Sequence, residues 1–494
     1  MKKLFFVLLF IFLLRVPTFF EPYWYGDEGI YLAIGQAMQR GAVLYRDIWD
    51  NKPPLLYLIY SISPTLLWAK VSATLAVLAT VTGVWKLTEL VIDHWPLVIG
   101  FLSGTLLSVP LLEGTIANAE LYFMTATIWG AYLLWNISQY RDLSLTSRAL
   151  VGILMATAFL LKVPAVLDFV GLLLAFMIIT HFESVRGFSL KNVLRTILDQ
   201  SIFLLPVYLP FLLILGFVFT YFFLVGALPD FLTAVFGQNA AYVAIDSGPF
   251  SKLSNPLFVK AILLVISYGL LVISYYKKII SRELLFLTMW FGASLYGALL
   301  SNRPYLHYLL QIVPPAVILF FYLLKNIKKY WYLLSILVFI FYILYQMFRA
   351  GFALPTIKYY ENWWQYITRQ KTWESYTNWF DPRTVNNYQI SSYLRNQLPT
   401  TNYQLPTLFV WGDNAFLYVL PDLPPATRFI QAHHLSTIDP VNYDLVAKQI
   451  LDKKPPLILV VEPIRFPFVQ LGDIVSEKYI FNKQIGDVKI YKLL

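Results

Sequence analysis

The feature that most constrains this chain is a series of long, continuous apolar segments, many of them about 16 to 22 residues in length. A helix of about 20 apolar residues crosses the hydrocarbon core of a bilayer. The sequence predicts eleven such spans, over residues 3–20, 70–91, 97–112, 119–138, 149–162, 165–181, 202–225, 257–276, 284–300, 307–324 and 331–348. Continuous runs exclude a transmembrane β-barrel, whose strands alternate between apolar and polar residues. We therefore expect a polytopic α-helical membrane protein.

Composition agrees with this expectation and excludes several kinds of site. Only 13% of the 494 residues are charged, about half the fraction of a typical soluble protein. The chain has no cysteine, which excludes disulfides, a thiolate nucleophile and a cysteine-ligated metal. The first span starts with Lys2 and Lys3 and is followed by Glu21 and Pro22 rather than by a small-residue cleavage site. We read it as a retained anchor, with a cleaved signal peptide as the alternative.

The placement of basic residues predicts the orientation of the spans. Cytoplasmic loops carry an excess of Lys and Arg. With the N-terminus inside and residues 53–68 not crossing, thirteen basic residues fall in inner loops and six in outer ones. The apolar segment 53–68 is therefore expected to lie along the interface or to re-enter. The C-terminus and the long loops 21–69 and 226–256 are then outside, and the net charge of +10 reports topology rather than a nucleic-acid partner.

The C-terminal part differs in composition from the spans. We expect a transmembrane domain over 1–349, an aromatic interfacial linker over 350–383 and a small soluble α/β domain over 384–494 on the outer side. Amphipathic aromatic rings favour the headgroup region of a membrane. Within the soluble domain, helices are predicted over 386–398 and 441–451. Buried strands are predicted over 407–411, 456–461 and 488–491.

The first outer loop carries the densest group of candidate catalytic residues. Asp27 and Glu28 are adjacent, so their side chains face different directions and suit different roles, such as proton acceptor and structural or metal ligand. Asp47 and Asp50 follow, and Lys52 precedes Pro53-Pro54 at a helix start near the lipid interface. A lipid headgroup phosphate is a natural partner for this cation. The alternatives are solvated loop acids that cap helices and a lysine that anchors the chain at the interface.

Two further clusters are expected on the same side of the membrane. Glu113, Asn118 and Glu120 lie between the third and fourth spans, where an acid at a helix start is either an N-cap or a functional group. Arg303, Tyr305 and His307 lie between two later spans. A guanidinium suits a phosphate, whereas a lone histidine is more often structural. Carboxylates and cations at headgroup level fit transfer of a group from a phosphate-bearing lipid to an acceptor outside.

At these residues the sequence resembles bacterial polyprenyl-phosphate-sugar-dependent glycosyltransferases of the GT-C superfamily, which includes protein O-mannosyltransferases and the lipid A aminoarabinose transferase. The resemblance rests on Asp27-Glu28 after the first span and on the stretch from Gly41 to Leu55 that contains Lys52-Pro53-Pro54. Asn118-x-Glu120, the stretch from Arg303 to Pro314, and Phe409-Val410-Trp411-Gly412 match it more weakly. The match covers essentially the whole chain.

The resemblance implies a role for each candidate residue. Asp27 would be the catalytic carboxylate of the first outer loop, Glu28 would complete its motif, and Glu120 would be the acid of the second loop. Lys52, Arg303, His307 and Tyr305 would bind or lie near the donor phosphate. Acceptor contacts or supporting contacts are expected of Asp47, Asp50, Asn118 and Glu113. Asn51 stands where some relatives place a metal-binding acid, so a divalent metal is an open alternative and no cofactor is assigned.

The expected reaction is inverting transfer of a hexose or pentose from a polyprenyl-phosphate-linked donor, on the extracytoplasmic face of the plasma membrane. The acceptor is a glycan, a glycolipid or a protein. The alternative is a polytopic transporter or lipid flippase. A pump would place its ionisable residues within the spans, and mid-span acids are scarce here, with Glu89 and Asp168 the nearest cases.

Overall fold

The computed structural model describes residues 2–140, 144–184, 199–240, 256–301, 303–348, 351, 353–398, 405–437 and 441–494. This part of the chain is mostly helical. Its α-helices run over Lys2–Arg15, Gly26–Gln39, Pro54–Ile62, Leu66–Val91, Pro96–Leu106, Ala119–Tyr140, Leu145–Leu161, Val166–Ser184, Leu205–Leu224, Leu228–Leu232, Pro256–Tyr276, Arg282–Ala298, Val313–Lys325, Ile327–Phe348, Thr356–Ile367, Trp373–Asn378, Pro382–Gln397, Phe416–Val419, Ala432–Thr437, Val441–Lys453 and Val469–Lys478. Shorter 3₁₀ turns cover Val16–Phe20, Pro110–Leu112, Val163–Ala165 and Leu306–Ile312, and a π-helical turn covers Thr233–Gln238.

The membrane-spanning character predicted from the sequence is confirmed. Among the described residues, seven helical stretches are long and apolar enough to cross a bilayer: Lys2–Phe20, Leu66–Val91, Val163–His181, Leu205–Leu224, Leu257–Tyr276, Leu306–Lys325 and Ile327–Phe348. The other four predicted spans are also helical, over Pro96–Leu106, Ala119–Tyr140, Leu145–Leu161 and Arg282–Ala298. The chain is a multi-pass membrane protein, and the count of eleven spans and their orientation stay predictions. The predicted inner loop around 185–198 and residues 241–255 of the outer loop 226–256 lie outside the described residues.

The apolar segment 53–68 forms a short helix rather than a span. Pro53 is the N-cap and Pro54 the first helical residue, a position where the missing N–H of proline has no helical partner to lose. The helix ends at Ile62 after nine residues. At 1.5 Å per residue it is about 14 Å long, less than half the thickness of the hydrocarbon core.

The described chain divides into two compact units. One consists of Met1–Val16, Ser72–Thr220 and Ala241–Thr356, and the other of Pro17–Val71, Tyr221–Ala240 and Ile357–Leu494. The first outer loop thus packs in the same unit as the C-terminal region. The sequence-based domain boundaries at 349 and 383 stay predictions.

The second unit contains a four-stranded mixed sheet in the order β1-β2-β4-β3. Its strands are β1 Leu408–Trp411, β2 Leu457–Val461, β3 Tyr479–Ile485 and β4 Val488–Leu493. Strands β1 and β2 are parallel, with Leu408 opposite Leu457, and β4 is antiparallel to both β2 and β3. Gly486 occupies the two-residue turn between β3 and β4 with φ of 57°, a conformation that glycine adopts without strain. The three strands and two helices predicted for this domain are confirmed, and β3 and the helix Val469–Lys478 are additional.

Small residues allow the helices of the first unit to approach closely. Glycines at helix contacts bring backbones together, as is common in membrane proteins. Gly152 lies directly against the carbonyl oxygen of Val207, which would overlap an alanine Cβ at this position. Gly171 lies in the same way against Ala293 and the carbonyl of Met289.

The contact at Gly152 predicts a strongly destabilising substitution. Gly152→Ala must separate the helices Leu145–Leu161 and Leu205–Leu224, because a backbone carbonyl cannot move aside as a side chain can. Overpacking of this kind costs about 1–3 kcal/mol. Gly216→Ala is the matched control, since no atom of the described part of the chain lies within 4 Å of its Cβ position. Thermal unfolding in detergent should show a lower Tm for the first variant only, and equal melting of both would contradict the contact.

Candidate active site

Asp27 and Lys52 form the centre of the candidate site. Asp27 lies in the first turn of the helix Gly26–Gln39, where the helix dipole favours an anion. The Lys52 Nζ atom is 4.0 Å from Asp27 Oδ2, and both side chains are partly exposed, at 24% and 33%. Tyr31, one helical turn after Asp27, donates its hydroxyl hydrogen to Asp27 Oδ2 at 3.2 Å. Its ring centroid lies 4.9 Å from Lys52 Nζ, so the aromatic face supports the cation.

The loop before the helix Pro54–Ile62 holds the backbone of Lys52 in place. The Tyr45 hydroxyl donates to the Lys52 carbonyl oxygen at 2.7 Å, and the Lys52 N–H donates to the Tyr57 hydroxyl oxygen at 3.2 Å. Tyr57 in turn donates to Asp50 Oδ2 at 2.5 Å. Asp50, Tyr45 and Tyr57 are all completely buried. The backbone of Lys52 is therefore fixed from both sides, while its ammonium group reaches the surface.

Asp50 is a buried carboxylate that interacts electrostatically with Lys52. Burial raises the pKa of the Asp50 carboxyl, but the Lys52 charge, His434, the Tyr57 hydroxyl and the Asn51 N–H together outweigh it, so that the pKa is lowered overall. His434 Nε2 lies 3.2 Å from Asp50 Oδ1. Burial lowers the pKa of His434 to about 3, so this imidazole is neutral at pH 7. Lys52 is then the cation that keeps Asp50 ionised.

Glu28 has a partner of its own, separate from that of Asp27. Lys70 Nζ lies 2.7 Å from Glu28 Oε1 and 2.8 Å from Glu21 Oε2, and all three side chains are inaccessible to solvent. Tyr359 also donates to Glu21 Oε1, at 2.6 Å. We call Glu21, Lys70 and Glu28 the buried triad. It attaches the first turn of the helix Gly26–Gln39 to the start of the long helix Leu66–Val91.

Asp47 supports the loop rather than the Asp27–Lys52 pair. Its Oδ2 accepts from the Val43 N–H at 2.8 Å, and Arg46 binds both of its oxygens. The Arg46 hydrogen bond is the main reason that the pKa of Asp47 is lowered, and burial opposes it. These contacts close the turn before Trp49.

The other candidate residues form a second group, in the first compact unit. Glu120 and Lys162 form an ion pair, and Lys162 Nζ is 4.0 Å from the ring centroid of Tyr308. Glu113 Oε2 and His307 Nδ1 are 2.5 Å apart. Each acid of this group is thus matched by a cation or an imidazole, as burial requires.

Three predicted residues lie near this second group. The Tyr305 ring stacks on His307 at 5.7 Å between centroids and is exposed. Arg303 is half-buried. Asn118 is buried just before the helix Ala119–Tyr140, and among the described residues neither polar atom of its side-chain amide has a hydrogen-bond partner.

The structure thus brings the predicted residues together in two groups. Asp27, Glu28, Asp50 and Lys52 share one compact unit, and Glu113, Glu120 and His307 share the other. Their roles in catalysis stay predictions. Sequence reasoning missed the contributions of Lys70, His434 and Tyr57. A lysine at the start of an apolar span was an available signal for Lys70, whereas nothing in the sequence marks His434 as a neighbour of Asp50.

The described residues contain no group of three or more His, Asp or Glu side chains placed to hold a metal ion. The candidate acids interact instead with Lys, Arg, His and Tyr side chains.

Comparison with known proteins gives similarity at the level of the fold. No family model matches the sequence, and no curated protein matches it. The crystal structure of ArnT from Cupriavidus metallidurans bound to undecaprenyl phosphate is similar over 99% of this chain and 97% of that one, with a TM-score of 0.56 and 14% identity. The apo state of the same protein matches over 98% and 97%, with a TM-score of 0.53 and 13% identity. This similarity shows that the chain shares the fold of ArnT, in agreement with the fold expected from the sequence motifs.

The buried triad predicts that Lys70 is essential for stability. Lys70→Met leaves two buried carboxylates without their cation, which costs about 3–5 kcal/mol. Lys86→Met on the same helix is the matched control, because Lys86 forms an exposed pair with Glu89 and such pairs contribute about 0–1 kcal/mol. Thermal unfolding in detergent should separate the two variants. A Lys70→Met protein as stable as the control would contradict the triad.

Proposed function

We propose that this protein transfers a sugar from a polyprenyl-phosphate-linked donor to an acceptor hydroxyl on the extracytoplasmic face of the membrane. The observation that carries the proposal is the partly exposed Asp27–Lys52 pair, 4.0 Å apart, in a chain with the fold of ArnT. That a structure of ArnT contains undecaprenyl phosphate supports a lipid phosphate as the donor carrier. The acceptor is a glycan, a glycolipid or a protein.

The two members of the pair suit the two requirements of this reaction. The acceptor oxygen forms a bond to the anomeric carbon while the bond from that carbon to the phosphate oxygen breaks. Asp27 takes the hydroxyl proton, and the lipid phosphate leaves with the bonding electrons. Lys52 stabilises the negative charge that develops on the phosphate. A single displacement of this kind inverts the anomeric configuration.

The surrounding residues keep the pair ready for this chemistry. Lys52 has a fixed backbone and a reachable ammonium, as a phosphate-binding group requires. The two acids of the motif have different roles. Glu28 forms an ion pair with Lys70 that fixes the helix, and Asp27 on the same helix is the proton acceptor. The roles of Glu120, Arg303, Tyr305 and His307 rest on the sequence resemblance.

Asp27 is expected to be essential for transfer and dispensable for folding. Asp27→Asn keeps the size of the side chain but removes the proton acceptor, and loss of a general base lowers rates about 10²- to 10⁴-fold. Asp473→Asn, at an exposed position in the helix Val469–Lys478, is the control. The measurement is release of undecaprenyl phosphate from radiolabelled donors by purified protein with membrane extract. Full activity of the Asp27 variant would refute its role. Tracer movement across vesicles without release would favour a transporter or flippase.

Lys52 is expected to act on donor binding more than on acceptor use. Lys52→Ala removes a hydrogen bond to a charged phosphate, so KM for the donor should rise about 10- to 100-fold. KM for the acceptor should stay within about twofold of the wild-type value. Lys86→Ala, on the surface of a helix, is the control for loss of a cation. An unchanged donor KM in the Lys52 variant would contradict the phosphate assignment.

A further inference from the structure

A segment of the C-terminal region lies along the first outer loop within the second compact unit. The Trp49 N–H donates to the Arg428 carbonyl oxygen at 2.8 Å, and Trp49 forms a parallel bridge with Phe429. The Arg428 guanidinium lies 4.9 Å from the Trp49 ring centroid and pairs with Asp230 at 2.8 Å. The loop before Lys52 is therefore built in part by residues that follow it by nearly 400 positions in the chain.

This segment leads into the helix Ala432–Thr437 and brings His434 to Asp50. His434 is 4% exposed and Asp50 is completely buried. The Asp50 carboxylate has three neighbours that donate hydrogen bonds or are placed to do so. Tyr57 donates to Oδ2 at 2.5 Å and the Asn51 N–H to Oδ1 at 2.8 Å, while His434 Nε2 lies 3.2 Å from Oδ1.

We propose that His434 is a positioning residue for the donor-phosphate site, through which the C-terminal region completes the site on the first outer loop. This inference rests on the proposed function. His434 acts on Asp50, and Asp50 is linked to the backbone of Lys52 through Tyr57, whose hydroxyl donates to Asp50 Oδ2 and accepts from the Lys52 N–H. Loss of the imidazole N–H would leave a buried carboxylate with one donor fewer, and Lys52 would move with it.

Burial and the neighbouring charges determine whether the His434 imidazole is neutral or protonated when it donates to Asp50. The titratable groups that face it are Asp50 and Lys52 of the loop, His433 of its own helix and Asp413 after β1. Burial lowers the pKa of His434 most, and His433 and Lys52 add to this, while Asp50 and Asp413 oppose it. The neutral imidazole can donate from Nε2 to Asp50 without adding a charge.

The kinetic test compares two replacements of the same residue. His434→Gln keeps an N–H donor within reach of Asp50, whereas His434→Leu keeps the bulk and loses the donor. We expect the leucine variant to raise KM for the polyprenyl-phosphate donor about tenfold with a smaller change in kcat, and the glutamine variant to stay within about threefold of wild type. His433→Gln is the matched control, because His433 is 40% exposed and lies 3.0 Å from Asp413 Oδ1.

Rescue by glutamine is the readout that a purely structural role would not give. Equal impairment of both His434 variants would mean that the N–H donor to Asp50 is not what the site requires, and wild-type KM in both would mean that His434 does not act on the site. Either result overturns the proposal.

A second measurement does not depend on sugar transfer. The unfolded chain binds a proton at His434 below about pH 6.5, while the folded protein does not bind it until about pH 3. The unfolded state therefore binds more protons in this range, and stability falls as the pH is lowered from 7 to 5. His434→Gln should reduce this fall in Tm, and His433→Gln should not. An unchanged pH dependence in the His434 variant would overturn its buried, neutral placement beside Asp50.

A third measurement, of lipid binding, separates this proposal from the proposed function. Binding of undecaprenyl phosphate to protein in nanodiscs is measured for wild type and both His434 variants. Weaker binding in the leucine variant alone supports the positioning role, even with an acceptor still unknown. If wild type neither binds undecaprenyl phosphate nor transfers sugar, the proposed function fails and the positioning role fails with it. The pH dependence of Tm then still reports whether His434 is buried against Asp50.

Discussion

A lysine enclosed between two carboxylates determines much of the geometry around the candidate site. Lys70, Glu21 and Glu28 have no access to water, so each charge depends on the others for the stabilisation that water would provide. Because Glu28 precedes Tyr31 and follows Asp27 on one helix, the triad fixes the orientation of that helix. The partly exposed carboxylate of Asp27 is thus carried on a rigid support, which is what a catalytic group requires.

Lys52 is arranged in the same way, with its backbone held by buried residues and its ammonium group partly exposed. Its carbonyl, its N–H and the neighbouring carboxylate of Asp50 all contact buried tyrosines, while its ammonium reaches the surface beside Asp27. These tyrosines fill an apolar interior and also supply the hydroxyl groups that hold the loop. A loop with this many side-chain hydrogen bonds behaves as a fixed element of the fold.

The elements that were predictable from the sequence are those with a strong local signal. Continuous apolar runs identified the helices of the membrane region, and Pro53-Pro54 identified the start of the helix Pro54–Ile62. Strands β1 and β2 were found because they are buried apolar runs. Strand β3 was missed because most of its residues face solvent and only the pairing with β4 makes it a strand. The candidate residues were found because charges are rare in so apolar a chain.

The membrane class, the helical fold and the candidate residues Asp27, Glu28 and Lys52 were predictable from the sequence. These follow from composition, run length and short motifs, which are local properties. The folded structure was needed to show that Glu28 pairs with Lys70, that Asp50 is buried near Lys52, and that His434 contacts Asp50 from the C-terminal region. These contacts join residues that are far apart in the sequence; Asp50 and His434, for example, are separated by 384 positions. Burial and charge pairing select them only once the chain has folded, so no local pattern records them.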